Sequence, residues 1–113
     1  MRIIELTSDT FDAFILEPGR SLIVFTASWC QPCQELKRIL HNVFDTEQQW
    51  RLAIVDIEAY PTLAESFNVK SIPWVLVVRD GVVLYAESGV LNKPALQELM
   101  TQADELDMSK IKK

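Results

Sequence analysis

The sequence is short of positive charge. Eleven Lys and Arg stand against sixteen Asp and Glu, a formal balance of −5 at pH 7. Neutralising phosphates takes clustered cations, so nucleic acid is not an expected partner. The lysines near the end of the chain, Lys110, Lys112 and Lys113, read as a solvated tail. Long apolar runs are missing too: none approaches the ~20 residues of a membrane-spanning helix, so no membrane partner is expected. The opening Met1-Arg2-Ile3-Ile4-Glu5 contains no apolar stretch ending in small residues. No signal peptide is read there, and the expected compartment is the cytoplasm, where thiols stay reduced. Metal ligands are scarce. Two cysteines and a single histidine fall short of the four ligands of a closed zinc site. His41 also lies a little over two helical turns beyond Cys33, so it reads as an ordinary helix residue and no metal is expected.

What the sequence does contain is enough apolar material for one self-sufficient core. A chain of 113 residues that is 49% apolar buries a real core without crosslinks. Its two cysteines are therefore poor candidates for a staple. Closing so short a loop stabilises by roughly 2 kcal/mol at best on the chain-entropy model. Both lie in Trp29-Cys30-Gln31-Pro32-Cys33, after the apolar run Leu22-Ile23-Val24-Phe25 and before the periodic series Leu36, Ile39, Leu40, Val43, Phe44. The motif sits where a buried strand hands over to an amphipathic helix, and thiol chemistry is the first function to consider.

The remaining elements follow from spacing and turn residues. Arg2 to Leu6 reads as a short strand. Thr7, Ser8 and Asp9 are N-cap candidates for a helix burying Phe11, Phe14 and Ile15, which Pro18-Gly19 ends. Ser21 to Thr26 has the continuous apolar character of a central strand. The helix after the cysteines runs to about Asp45 with one apolar stripe, and Trp50 to Glu58 returns as a strand, making a right-handed βαβ unit. Pro61 fits the first turn of a short helix burying Leu63, Ala64 and Phe67, with Asn68 in the left-handed cap. Val75 to Val78 and Val82 to Tyr85 form a hairpin around Asp80-Gly81, and Gly89 closes the second strand. Asn92 caps a last helix that turns Leu96, Leu99, Met100 and Ala103 inward.

These features resemble the thioredoxin family over nearly the whole chain, from Ile3 to about Ala103. The resemblance rests on Phe11-Asp12, Trp29-Cys30-Gln31-Pro32-Cys33, Ile72-Pro73, Asp80-Gly81 and Gly89. A bare C-x-x-C beside a βαβ unit is a weak signal; the full Trp-Cys-x-Pro-Cys at a strand-to-helix junction, with Ile-Pro some forty residues on, is a strong one. It implies an α/β thioredoxin fold: a central mixed sheet of five strands flanked by four helices, in the order β-α-β-α-β-α-β-β-α. The domain is expected over residues 1–104, with a charged C-terminal tail over 105–113. In such a fold Cys30, at a helix N-terminus, faces unpaired N–H groups and the positive end of the helix dipole. Both favour thiolate, making Cys30 the exposed nucleophile. Cys33, one turn inside, is the shielded resolving thiol. Pro32 stiffens the first turn. By resemblance Trp29 covers the redox site, Pro73 is the family's cis-proline lying against the cysteines, and Ile72 offers its backbone to an extended substrate. Gln31, Trp74 and Gly89 complete the expected substrate rim.

The departures from the family pattern are specific. Val24 stands where a buried aspartate is usual, six residues before Cys30, and Ile54 where a lysine commonly pairs with it. The loss spares the cost of burying a carboxylate but removes a proton acceptor for Cys33, so slower resolution at neutral pH is expected. Asp56 and Glu58 alternate onto the same strand face as Ile54, but towards the strand end, and neither is assigned as a replacement base. Gln31 replaces a glycine, Gln34 a common lysine, Arg38 a helix-kinking proline and Trp74 a small threonine, where its ring either narrows the substrate groove or packs into the core.

The expected function is that of a thiol–disulfide oxidoreductase, a protein-disulfide reductase cycling between Cys30–Cys33 dithiol and disulfide as a monomer and needing no cofactor. Its expected partners are disulfide-containing proteins and a thioredoxin reductase. The alternative is a binding module or assembly factor that grips partners with the apolar surface around Trp29, Pro73 and Trp74. Retention of both cysteines weighs against it.

Overall fold

The computed structural model describes residues 3–47 and 49–110. Arg2, expected to open the first strand, and the tail residues Ile111, Lys112 and Lys113 lie outside them. The elements are β1 (Ile3–Glu5), α1 (Phe11–Leu16), β2 (Arg20–Thr26), α2 (Gln31–Phe44), β3 (Trp50–Asp56), α3 (Pro61–Ser66), β4 (Trp74–Arg79), β5 (Val82–Ser88) and α4 (Lys93–Glu105), followed by a 3₁₀ turn over Met108–Lys110. This is the expected order, and the five strands form one mixed sheet, β1-β3-β2-β4-β5. The strands β1, β3 and β2 are parallel, while β4 runs antiparallel to β2 and β5 antiparallel to β4.

Period-2 alternation divides the strands' side chains between two cores. Leu22 and Val24 of β2, Leu52 of β3, and Val75 and Val77 of β4 face α2 and α4. They pack there against Leu36, Leu40, Val43, Phe44, Leu96 and Met100. Ile23, Phe25, Ala53, Val55, Leu76 and Val78 face the other way, onto Phe11 and Phe14 of α1 and the half-buried Leu63, Ala64 and Phe67. Buried on both faces, β2 needs the unbroken apolar run that its sequence carries.

The caps and turns show how local chemistry sets the boundaries. Asp80 (φ 51°) and Gly81 (φ 84°) are both left-handed, as a two-residue hairpin turn of the favoured twist requires. The Asp80 carboxylate also accepts from the Gly19 N–H at 2.8 Å, and the Asp80 N–H donates to the Gly19 carbonyl at 2.9 Å. Asn68 takes the left-handed position (φ 55°) after α3, and Asn92 Oδ1 accepts from the Ala95 N–H at 2.9 Å to cap α4. Two boundaries differ from expectation. At α1 the N-cap is Thr10, without a side-chain capping bond, because the upstream threonines bond each other: the Thr7 N–H donates to Thr10 Oγ1 at 2.9 Å. On β3 the strand ends at Asp56, where the Tyr60 N–H turns back onto the Asp56 carbonyl at 2.9 Å.

Candidate dithiol active site

The cysteines sit where β2 ends. From Thr26 the chain passes through Ala27, Ser28 and Trp29 to Cys30, the N-cap of α2, with Pro32 in the first turn. Cys30 and Cys33 are joined in a disulfide, their Cα atoms 5.2 Å apart. The Cys33 N–H donates to Cys30 Sγ at 3.2 Å. An orphan helix N–H aimed at this sulfur stabilises negative charge on it whenever the disulfide opens. The approach to the helix is held from the side: the Ser28 N–H and hydroxyl both donate to Glu58 Oε1, at 3.4 and 3.0 Å. Glu58 is therefore engaged with the loop before the motif.

Across from the sulfur, the Ile72 carbonyl oxygen lies 3.8 Å from Cys30 Sγ, and the Ile72–Pro73 bond is cis. The Gly89 N–H donates to the Pro73 carbonyl at 2.9 Å, which fastens the end of β5 to the proline turn. Trp29 is 65% exposed and, with Cys30, Gln31, Pro32, Ile57, Val69 and Ile72, lines a mostly apolar cleft of about 550 Å³ whose polar edge is Lys70 and Ser71. The structure thus gathers Trp29, Gln31, Pro32 and Ile72 round Cys30, with the buried Pro73 and the exposed Gly89 just behind.

Two expectations need correction. Cys30 is not exposed: it and Cys33 are each 4% exposed, clustered with Ala27, and the half-buried Ile57 and Ile72 pack against that cluster. The remaining exposed surface of Cys30 borders the cleft beside Trp29. The Trp74 indole, expected on the substrate rim, is spent mainly on the core. It is 9% exposed, meets Phe25 edge-on with ring centres 5.4 Å apart, and leans on Phe67 at 5.8 Å. What remains of it borders a small polar hollow with Asn68, Lys70, Ser71, Glu87 and Ser88.

A second cleft, of about 180 Å³, opens on the opposite side of the motif and reaches Cys33. Val24 and Ile54 are partners in the β2–β3 register and line it, with Ile3, Leu40 and Leu52. The surface beneath Cys33 is as apolar as the two replacements imply. The mouth is polar: Glu5, Thr26, Ser28, Gln34, Lys37 and Asp56 border it. The sequence places Asp56 on the strand face of Ile54, though without a role; it does not bring Glu5 or Lys37 to the site. The signal was present in the alternation Ile54–Asp56 beside Val24–Thr26, and in Lys37 standing one helical turn beyond Cys33. Among the described residues no group of three or more His, Cys, Asp or Glu is placed to hold a metal ion.

A redox pair at the N-terminus of a helix, in front of a cis-proline and behind an exposed indole, defines a thiol–disulfide oxidoreductase. The family model for thioredoxin matches residues 2–102. The chain is 36% identical over 104 residues to the thioredoxin of Bacillus subtilis, covering 90% of this chain and 98% of that one. It is 34% identical over 110 residues to putative thioredoxin 2 of Streptomyces coelicolor, covering 97% and 82%. With the thioredoxin of Buchnera aphidicola the identity is 29% over 100 residues. The chain belongs to the thioredoxin family.

Proposed function

We propose that this protein works in the reducing direction, as a protein-disulfide reductase. The observation that carries the reading is the setting of Cys30 Sγ. It receives a helix N–H from Cys33 and lies against a backbone carbonyl, at the edge of a mostly apolar cleft. In the dithiol form the Cys30 thiolate attacks one sulfur of a substrate disulfide, forming a mixed disulfide and releasing the other sulfur as a thiolate. Cys33 then attacks Cys30 Sγ. The Cys30–substrate bond breaks, the Cys30–Cys33 bond forms, and the substrate leaves fully reduced. Trp29, Gln31, Pro32, Ile72 and Pro73 flank the bound segment, and Gly89 borders it with no side chain in the way.

The disulfide is returned to dithiol by an outside reductant, for which a thioredoxin reductase is the natural donor. A monomer in the cytoplasm fits this cycle, since a reducing compartment maintains the attacking form. Among the described residues no helix is long and apolar enough to cross a membrane.

Reduction of insulin followed by turbidity tests the reading. The wild type accelerates it over dithiothreitol alone, and Cys30→Ser abolishes the acceleration. Cys33→Ser stalls at the mixed disulfide and so traps substrates covalently. An inactive wild type that still binds a partner equally well as Cys30→Ser would instead favour a binding module using the apolar cleft beside Trp29.

A further inference from the structure

Resolution of the mixed disulfide requires Cys33, a buried thiol, to lose its proton. Val24 and Ile54, the residues directly beneath it, have nothing to accept one. The cleft they line nevertheless leads from Cys33 to carboxylates. At about 180 Å³ it has room for several water molecules, each occupying about 30 Å³ in the liquid. Its polar mouth supplies the hydrogen-bonding groups such waters need.

We propose that Asp56 accepts the Cys33 proton, through water in this cleft, during resolution. The sheet register singles out Asp56 from the other acid at the mouth. Asp56 pairs with Thr26, the last residue of the strand that leads into the cysteine motif. Glu5 pairs with Ile54, one strand further out and two residues further back along the sheet. Those offsets are about 4.8 Å and about 6.6 Å. Asp56 is also oriented, since its Oδ1 accepts from the Glu58 N–H at 2.9 Å, while the Glu58 carboxylate is taken by Ser28. The charged groups bordering this space are Glu5 from β1 and Lys37 from α2, with Glu58 just beyond the strand end. The Lys37 ammonium borders the same mouth as the Asp56 and Glu5 carboxylates. The proton passes from Cys33 Sγ to water and from water to the Asp56 carboxylate. The Cys33 thiolate displaces the substrate sulfur from Cys30, and Asp56 then returns the proton to solvent or to the departing thiolate. No oxidant beyond the substrate disulfide is consumed.

This proposal rests on Cys33 being the resolving thiol, and the test separates the two. Reduced protein is mixed with the aromatic disulfide dithiobis(nitrobenzoate) in a stopped-flow spectrometer between pH 6 and 9. One thionitrobenzoate is released as Cys30 attacks and a second as Cys33 resolves. In Asp56→Asn the first release keeps its wild-type rate, which also reports an intact fold. The second slows about tenfold at pH 7, within the range of general-base effects, and the deficit closes towards pH 9 as Cys33 ionises unaided. Asp56→Glu recovers most of the rate, and Glu5→Gln stays within about twofold of wild type. A second release unchanged in Asp56→Asn across the whole pH range overturns the proposal, as does an equal or larger deficit in Glu5→Gln. A second release that persists in Cys33→Ser would overturn it together with the assignment on which it rests.

Discussion

Val24 and Ile54 lie side by side on neighbouring strands beneath Cys33, and a carboxylate restored there can be tested directly. Val24 is 3% exposed, so Val24→Asp lowers stability by roughly 2–4 kcal/mol, the scale of burying a polar group without a full set of partners. The same substitution puts a proton acceptor under the resolving thiol. Disulfide reduction near neutral pH is expected to quicken, and the gain should be largest in the Asp56→Asn background, where the water route has lost its terminus. A folded Val24→Asp/Asp56→Asn double variant with no gain over Asp56→Asn would show that proton transfer does not limit resolution. At this scale the sequence was legible where chemistry is local. Cys30, Pro32 and Cys33 declare themselves through the full Trp-Cys-x-Pro-Cys pattern between an apolar run and a periodic one. Residues whose place depends on three elements at once were not legible. Cys30 is covered in a cluster on which Ile57 and Ile72 converge from distant segments, and Trp74 is drawn inward by Phe25 and Phe67. Alternation puts Asp56 on the face of Ile54, but only the β2–β3 register sets it beside Thr26 at the cleft.

Elements were legible when they carried their own punctuation. The helix α4 begins where Asn92 accepts the Ala95 N–H, so Asn92→Ala is expected to cost about 1 kcal/mol and to lower Tm by about 4 °C in a domain of this size. Disulfide-exchange rates should stay unchanged, since no residue of α4 lines either cleft at the cysteines; a thermal melt beside the stopped-flow assay checks both halves. The hairpin at Asp80-Gly81 was equally plain, although its tie to Gly19 was not, because that bond joins residues 61 positions apart. Where punctuation was weak, boundaries moved. Thr7 and Thr10 satisfied each other and delayed α1 to Phe11, and the β3 chain turned at Asp56 two residues earlier than the alternation of acids suggested. Arg38, standing where the family has a kinking proline, leaves α2 a single helix from Gln31 to Phe44.

For the molecule as a whole, one sheet between two helix pairs gives the dithiol both its clefts. The cysteines stand off the C-terminal end of β2, and the apolar cleft beside Trp29 and the cleft that reaches Cys33 open on opposite sides of the same motif. The other end of the sheet is equally well tied. Arg79 donates to the carbonyls of Ala103, Asp104 and Leu106 at 2.8, 3.1 and 2.9 Å, and Arg20, the first residue of β2, pairs with Asp104 at 2.6 Å. These bonds anchor the end of α4 to the start of β2. Seven strand residues, roughly 20 Å at the rise of an extended chain, separate that anchor from the cysteines. A linker joined at Leu106, the last carbonyl that Arg79 holds, would therefore depart from the pole opposite the redox site. Protein coupled to a bead through that end should present its reactive face outward and exchange disulfides at close to its free rate, whereas coupling through Lys70, at the lip of the groove, should block it. Handled in this way, the molecule has a back by which it can be held while its front does chemistry.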